Sequence, residues 1–143
     1  MMKQFAVFIV LVLTIAGCST ESKSDPVRTE KPSDAVAGKV TDVSVDEAGT
    51  AIGKGGVQFI DVRTVEEFKE GHARSAINVP LDGLTESLGK LSKEQPIYVI
   101  CRTGSRSAAA SQILKENGFT EIYNIKGGTL DWAAAKLPME SEQ

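Results

Sequence analysis

Three short apolar runs punctuate the chain, and each ends abruptly in polar residues or glycine. Val57-Gln58-Phe59-Ile60 leads into Asp61-Val62-Arg63, Ile97-Tyr98-Val99-Ile100 into Cys101, and Ile122-Tyr123-Asn124-Ile125 toward Gly127-Gly128. Short, nearly continuous runs of this kind suit strands covered on both faces, as in a parallel sheet. Ile77-Asn78-Val79, just before Pro80, is a weaker fourth candidate. Between the runs the pattern turns helical. Ser44-Val45-Asp46-Glu47 and Thr64-Val65-Glu66-Glu67 each match a capping box, in which a hydroxyl and a carboxylate satisfy free amides reciprocally. From Ser107 to Asn117, Ala109 pairs with Ile113 and Ala110 with Leu114 at helical spacing, and Gly118 follows as a stop. Strands alternating with helices predict an α/β fold, with a central parallel sheet flanked by helices.

The start of the chain follows a different rule. Lys3 is the only charge in residues 1–17, and Phe5 to Ile15 is an unbroken run of mostly apolar residues. That length fits the apolar region of a secretory signal and falls short of the roughly 20 residues that span a bilayer. Ile15-Ala16-Gly17-Cys18 resembles the lipobox of bacterial lipoproteins. The resemblance implies a signal peptide over 1–17, a diacylglyceryl group on Cys18, and Cys18 as the new N-terminus. The product is expected to be exported and extracytoplasmic, in the periplasm or cell envelope, and lipid-anchored to a membrane. Residues 18–38 are polar, contain Pro26 and Pro32, and show no apolar period, so they read as a flexible tether. Fully extended, such a segment reaches about 65 Å. One folded domain is expected over 39–143.

Composition narrows the function. Charged residues make up 24 % of the chain and hydrophobic residues 41 %, as in an ordinary globular protein. The formal net charge is −3, which disfavours non-specific binding to nucleic acid, a process driven by phosphate neutralisation. The chain has only 2 cysteines. With Cys18 acylated, Cys101 has no partner for an intramolecular disulfide, and an unpaired cysteine in an exported protein is a candidate reactive thiol.

Cys101-Arg102-Thr103-Gly104-Ser105-Arg106-Ser107 lies between the strongest strand and the clearest helix. Reactive sites of open α/β sheets form beyond the carboxyl ends of strands. A tight loop entering a helix turns successive N–H groups inward and makes an anion-binding concavity. Gly104 allows a backbone conformation that other residues resist. Arg102 and Arg106 add fixed positive charge. All of this favours the thiolate, which is the nucleophile. A buried structural cysteine is the blander alternative, and the two arginines and the glycine that follow argue against it.

These residues bring the chain into resemblance with the rhodanese family over roughly residues 39–138. Cys101 to Arg106 is similar to the family's C-x-x-G-x-R loop. Asp61-Val62-Arg63, followed by Glu67, Phe68, Gly71-His72, Ala76, Asn78 and Pro80, resembles its upstream signature. Gly127-Gly128, Trp132 and Pro138 resemble its ending. Ser75 and Lys136 depart from the pattern, standing where the family often has glycine. A lysine at a left-handed helix end would carry some strain.

The resemblance implies a sulfurtransferase in which Cys101 is the catalytic nucleophile. Sulfane sulfur would pass from thiosulfate or a similar small anionic donor to a thiophilic acceptor, such as cyanide or a thiol, through a Cys101 persulfide. Arg102, Thr103, Gly104, Ser105 and Arg106 would bind substrate. No metal or organic cofactor is needed, and a monomer is expected. Asp61, Arg63 and His72 read as supporting residues: the first two tie neighbouring loops together, and His72 hydrogen-bonds structurally in preference to acting as a base. Trp132 reads as a packing anchor. Two rivals share the fold. A cysteine phosphatase uses C-x5-R, whereas Cys101 to Arg106 is C-x4-R; a non-catalytic binding or regulatory module usually lacks the cysteine. A thiol–disulfide oxidoreductase would need a second cysteine in C-x-x-C spacing.

Overall fold

A computed structural model of the chain describes residues 38–142. The apolar leader, Cys18 and the tether up to residue 37 lie outside the described residues. The apolar runs form strands as their pattern predicts: β2 is Gln58–Asp61, β5 is Ile97–Ile100 and β6 is Glu121–Ile125, with β4 at Ile77–Asn78. One further strand, β1 at Lys39–Val43, comes from a segment with no apolar run, and it pairs in parallel with β6 along its whole length. Together they make a five-stranded sheet in the order β1-β6-β5-β2-β4, with every pairing parallel. β5 sits in the middle, and all four of its residues are buried.

Period-two alternation divides the core into two layers. Ile97, Val99, Cys101 and Ile122 face one side, where they pack with Ala110 and Leu114 of helix α4 (Ser105–Glu116) and Leu84 of the short helix α3 (Leu84–Ser87). Tyr98, Ile100 and Ile125 face the other. They meet Val45 and Ala48 of α1 (Val45–Lys54) and Trp132 of α5 (Gly128–Ala134). Trp132 is the anchor its size suggests: it packs against the Phe59 ring and donates its indole N–H to Pro138 O at 3.0 Å. A two-residue antiparallel ladder joins β3 (His72–Ala73) to β7 (Met139–Glu140), elements too short to leave a periodic signal.

Both capping boxes are present. Ser44 caps α1 with Glu47, and Thr64 caps α2 (Val65–Glu70) with Glu67, each hydroxyl accepting from the N3 backbone while the N3 carboxylate accepts from the cap N–H. α4 begins at Ser105, two residues before its apolar pattern does.

The two departures from family glycine are the only non-glycine residues with positive φ among those described. Ser75 (φ 68°) is the third residue of a turn closed by Ala76 N–H on Ala73 O. Lys136 (φ 56°) ends α5 in a Schellman motif: its N–H donates to Ala133 O, and Leu137 N–H donates to Trp132 O. The hydrogen bonds hold a lysine in a conformation its Cβ disfavours. Lys136→Gly is therefore expected to stabilise the domain by about 1 kcal/mol, read as a higher denaturant midpoint at unchanged slope. An unchanged or lower midpoint would show that the turn carries no such strain.

Candidate active site

Cys101 follows the last residue of β5, at the carboxyl end of the central strand, and its side chain continues the buried row of Ile97 and Val99. It is 1 % exposed. Behind it the chain crosses Arg102 and Thr103 and turns into α4 at Gly104, whose φ of 100° lets the backbone reverse in so few residues. The side chains of Arg102, Thr103 and Ser105 point outward and are exposed, so the inside of the loop is lined by backbone. Gly104 N–H donates to Cys101 Sγ at 3.1 Å. Burial pushes the Cys101 thiol up; the Ser107 hydroxyl and the backbone N–H groups of Ser107, Thr103 and Gly104 more than offset it, and hold the thiol below its ordinary value. The first turn of α4 carries no acidic residue to oppose that field.

A second loop fixes the first. The turn after β6 brings the start of α5 against the Cys101 loop, where Thr129 N–H donates to Cys101 O at 2.8 Å and Leu130 N–H to Arg102 O at 3.2 Å. The approach is so close that a Cβ on Gly128 would overlap Cys101 O and the Arg102 carbonyl. With its carbonyls held outward by α5, the loop has its N–H groups free to face the sulfur.

Arg106 does not aim its guanidinium at a donor. It forms a two-pronged pair with Glu67 of α2, at 2.7 and 2.8 Å. The carboxylate takes the end of the guanidinium formed by its two Nη groups, so Arg106 ties α4 to α2 and contributes positive charge. Arg102 makes no ion pair among the described residues. It borders a shallow depression of about 250 Å³, lined also by Arg63, Glu67, Glu70, Gly71, Thr129 and Leu130.

Comparison with known proteins agrees with this geometry. A Rhodanese-like domain model matches residues 44–135. The chain belongs to the rhodanese family. Among curated relatives, it is 44 % identical over 75 residues to the Bacillus subtilis uncharacterized protein YqhL, covering 52 % of this chain and 60 % of that one. It is 28 % identical over 99 residues to the thiosulfate sulfurtransferase GlpE of Vibrio cholerae, covering 69 % and 93 %. The match to the putative sulfur carrier protein YrkF of Bacillus subtilis is 32 % over 76 residues, 53 % of this chain and 41 % of that one. The matched segment thus spans less than two thirds of YqhL and of YrkF. Of solved structures, a rhodanese-related protein from Thermoplasma volcanium superposes with a TM-score of 0.65 at 29 % identity, over 71 % of this chain and 98 % of its own. A Rhodanese-like domain protein from Staphylococcus aureus gives 0.60 at 31 %, over 64 % and 90 %.

The remaining expected residues frame the rhodanese loop from outside. Asp61, fully buried at the end of β2, accepts from Arg63 Nε at 3.0 Å and Nη2 at 2.7 Å, and Arg63 Nη2 also donates to Gly71 O at 2.8 Å. Asn78 Nδ2 donates to the carbonyls of both Asp61 and Arg63. The pair ties three segments together. His72 stacks on the Phe68 ring at 3.7 Å, and its Nδ1 lies 2.9 Å from Phe68 O. Its other nitrogen lies 4.0 Å from Glu140, so no ring nitrogen of His72 is bonded to the Cys101 loop. Sequence reasoning missed Glu67 as a partner of Arg106 and passed over Ser107 and Asn124, which stand behind the sulfur. The available signal was a polar Asn124 inside the apolar run Ile122–Ile125.

The Glu67–Arg106 pair has a pH signature. The Arg106 hydrogen bonds hold the Glu67 carboxyl at about 2, against 4.5 for a free one. A depressed folded-state value adds stability above the unfolded value and loses it as pH falls from 4.5 toward 2. Both side chains are partly exposed, so screening reduces the effect to about 1 kcal/mol. Glu67→Gln is expected to lower stability by that amount at pH 7, with the gap to wild type narrowing across that acid window. A gap independent of pH would rule the ion pair out as its source.

Proposed function

We propose that the chain is a thiosulfate-type sulfurtransferase acting through a Cys101 persulfide. The observation that carries this reading is a buried sulfur facing a ring of backbone N–H groups at the start of α4. The Cys101 thiolate attacks the outer sulfur of the donor. A new S–S bond forms, the donor's S–S bond breaks, and sulfite leaves with the electron pair. The loop amides then face a terminal sulfur bearing negative charge, and they are already oriented when it forms. A thiophilic acceptor attacks that outer sulfur, and Cys101 departs as the thiolate it was. Arg102, exposed in the loop beside Cys101, steers the anionic donor. The similarity to the GlpE sulfurtransferases supports the same chemistry.

The geometry speaks against the phosphatase alternative. A phosphoryl group presents three oxygens and calls for a wide cradle with an arginine turned into it, whereas Arg106 follows Cys101 after only four residues and turns its two Nη groups to Glu67. Treatment of the wild type with thiosulfate is expected to add one sulfur atom, seen by intact-protein mass spectrometry. Cys101→Ser should fold and gain none, because a serine alkoxide is not accessible near neutral pH. Sulfur on the serine variant, or aryl phosphate turnover by a wild type that accepts no sulfur, would overturn the reading.

We also propose that the protein works on the outer side of a membrane, anchored through lipid on Cys18, with residues 19–38 as its tether. The support is Ile15-Ala16-Gly17-Cys18 and the polar stretch after it. More than one acyl chain is what stable anchoring requires. Wild type should enter the detergent phase on partitioning, and Cys18→Ser should stay in the aqueous phase with the Cys101 activity intact. Recovery of both from the aqueous phase would eliminate the anchor.

A further inference from the structure

A line of polar side chains runs away from the sulfur, across the sheet, beneath α4. Cys101 Sγ lies 3.5 Å from Ser107 Oγ; Ser107 Oγ lies 2.6 Å from Asn124 Oδ1; Asn124 Nδ2 lies 2.8 Å from Asp42 Oδ1. Ser107 is fully buried and Asn124 is 4 % exposed. Asn124 and Asp42 are register partners on the adjacent parallel strands β6 and β1. The line ends at the surface, where Lys126 Nζ pairs with Asp42 Oδ2 at 3.2 Å.

Counting hydrogens gives the line a direction. The hydrogen bond from Asn124, with that from Lys126, holds the Asp42 carboxyl below its usual range, so it is ionised near neutrality and can only accept. The amide of Asn124 must therefore turn its NH2 to Asp42 and its oxygen to Ser107. Ser107 has one hydroxyl hydrogen. The shortest contact open to it is Asn124 Oδ1; Gly104 O lies at 3.0 Å, and Cys101 Sγ is farther still. When Cys101 is a thiol, S–H donates to Ser107, Ser107 to Asn124 and Asn124 to Asp42, and every group is satisfied. When Cys101 is a thiolate, the sulfur can take the hydroxyl hydrogen only by drawing it off the oxygens that hold it.

We propose that Asn124, oriented by Asp42, is a positioning residue that competes with Cys101 for the single hydrogen of Ser107 and so weakens the support this hydroxyl gives the thiolate. The pairing moderates a loop that would otherwise keep its resting thiol more fully ionised, and therefore more open to oxidation and alkylation. It rests on Cys101 being the reactive group of the sulfurtransferase reading, but its test needs no sulfur donor. The charged groups around the sulfur are Arg102 in its own loop, Arg106 of α4 paired with Glu67 of α2, and the Asp61–Arg63 pair at the end of β2. None of them changes in the variants below.

The experiment measures the rate of alkylation of Cys101 by iodoacetamide against pH, followed on the Cys101 peptide by mass spectrometry so that Cys18 does not contribute. Asn124→Leu removes the competing acceptor and is expected to shift the midpoint down by about one pH unit, the size of one hydrogen bond to a charged group. Ser107→Ala should shift it up. In the Ser107→Ala background, adding Asn124→Leu should have no effect, because its action passes through that hydroxyl. Asp42→Asn frees the amide to turn over without altering the interior; it should give a smaller downward shift, also absent in the Ser107→Ala background, and it carries the test alone if Asn124→Leu fails to fold. A midpoint that is unchanged or raised, or a shift of equal size with Ser107 absent, would overturn the proposal. Failure of thiosulfate to load Cys101 would instead count against the proposed function and leave these midpoints as they are.

Discussion

A sulfur anion with almost no contact with water has to be met by hydrogen-bond donors, and most of the local architecture around Cys101 serves that requirement. The donors come from backbone, so the backbone must be turned inward, and its carbonyls must then be satisfied elsewhere. The N-terminal residues of α5 supply that other side: Thr129 and Leu130 take the carbonyls of Cys101 and Arg102. Glycine at 128 follows from this contact, since any side chain there would occupy the space of the loop it supports. The motif at Cys101 and the paired glycines more than twenty residues later are therefore two halves of one structural solution. Two buried or half-buried ion pairs complete it, one at the end of β2 and one between α2 and α4.

Much of this was legible in the order of residues. The three central strands, both capping boxes and α4 each carry a local signal, either apolar continuity or a hydroxyl and carboxylate three positions apart. β1 was not legible. Lys39 and Asp42 break its apolar pattern because it is an edge strand with a half-exposed face, and it becomes a strand only by pairing with β6. The β3–β7 ladder, two residues long on each side, has no period to detect. In both cases tertiary contact decided what local preference did not.

The site shows the same division. Cys101 with its loop, and Gly127 with Gly128, are each contiguous in sequence and carry motif strength. Arg106 illustrates the opposite: its type and spacing suit an anion, yet its partner is 39 residues away on a separate helix. Nothing local distinguishes an arginine that will meet substrate from one that will meet a glutamate. His72 went the other way, since its neighbours in sequence, Phe68 above all, do supply its stacking and hydrogen-bond partners.

The sheet order has a consequence in time as well as in space. β1 is the first of the described strands, and its partner among them, β6, begins at Glu121. Asp42 and Asn124, which meet across that ladder, stand 82 positions apart. The cost of closing so large a loop falls before any of its contacts form, and topologies dominated by distant pairings fold slowly. A growing chain thus holds β1 unpaired until nearly the whole domain has been made, and the sheet closes only when residues 121–125 arrive. Completion of the edge and completion of the polar line behind Cys101 are then a single event, so the Cys101 thiol acquires its finished surroundings at the last stage of folding.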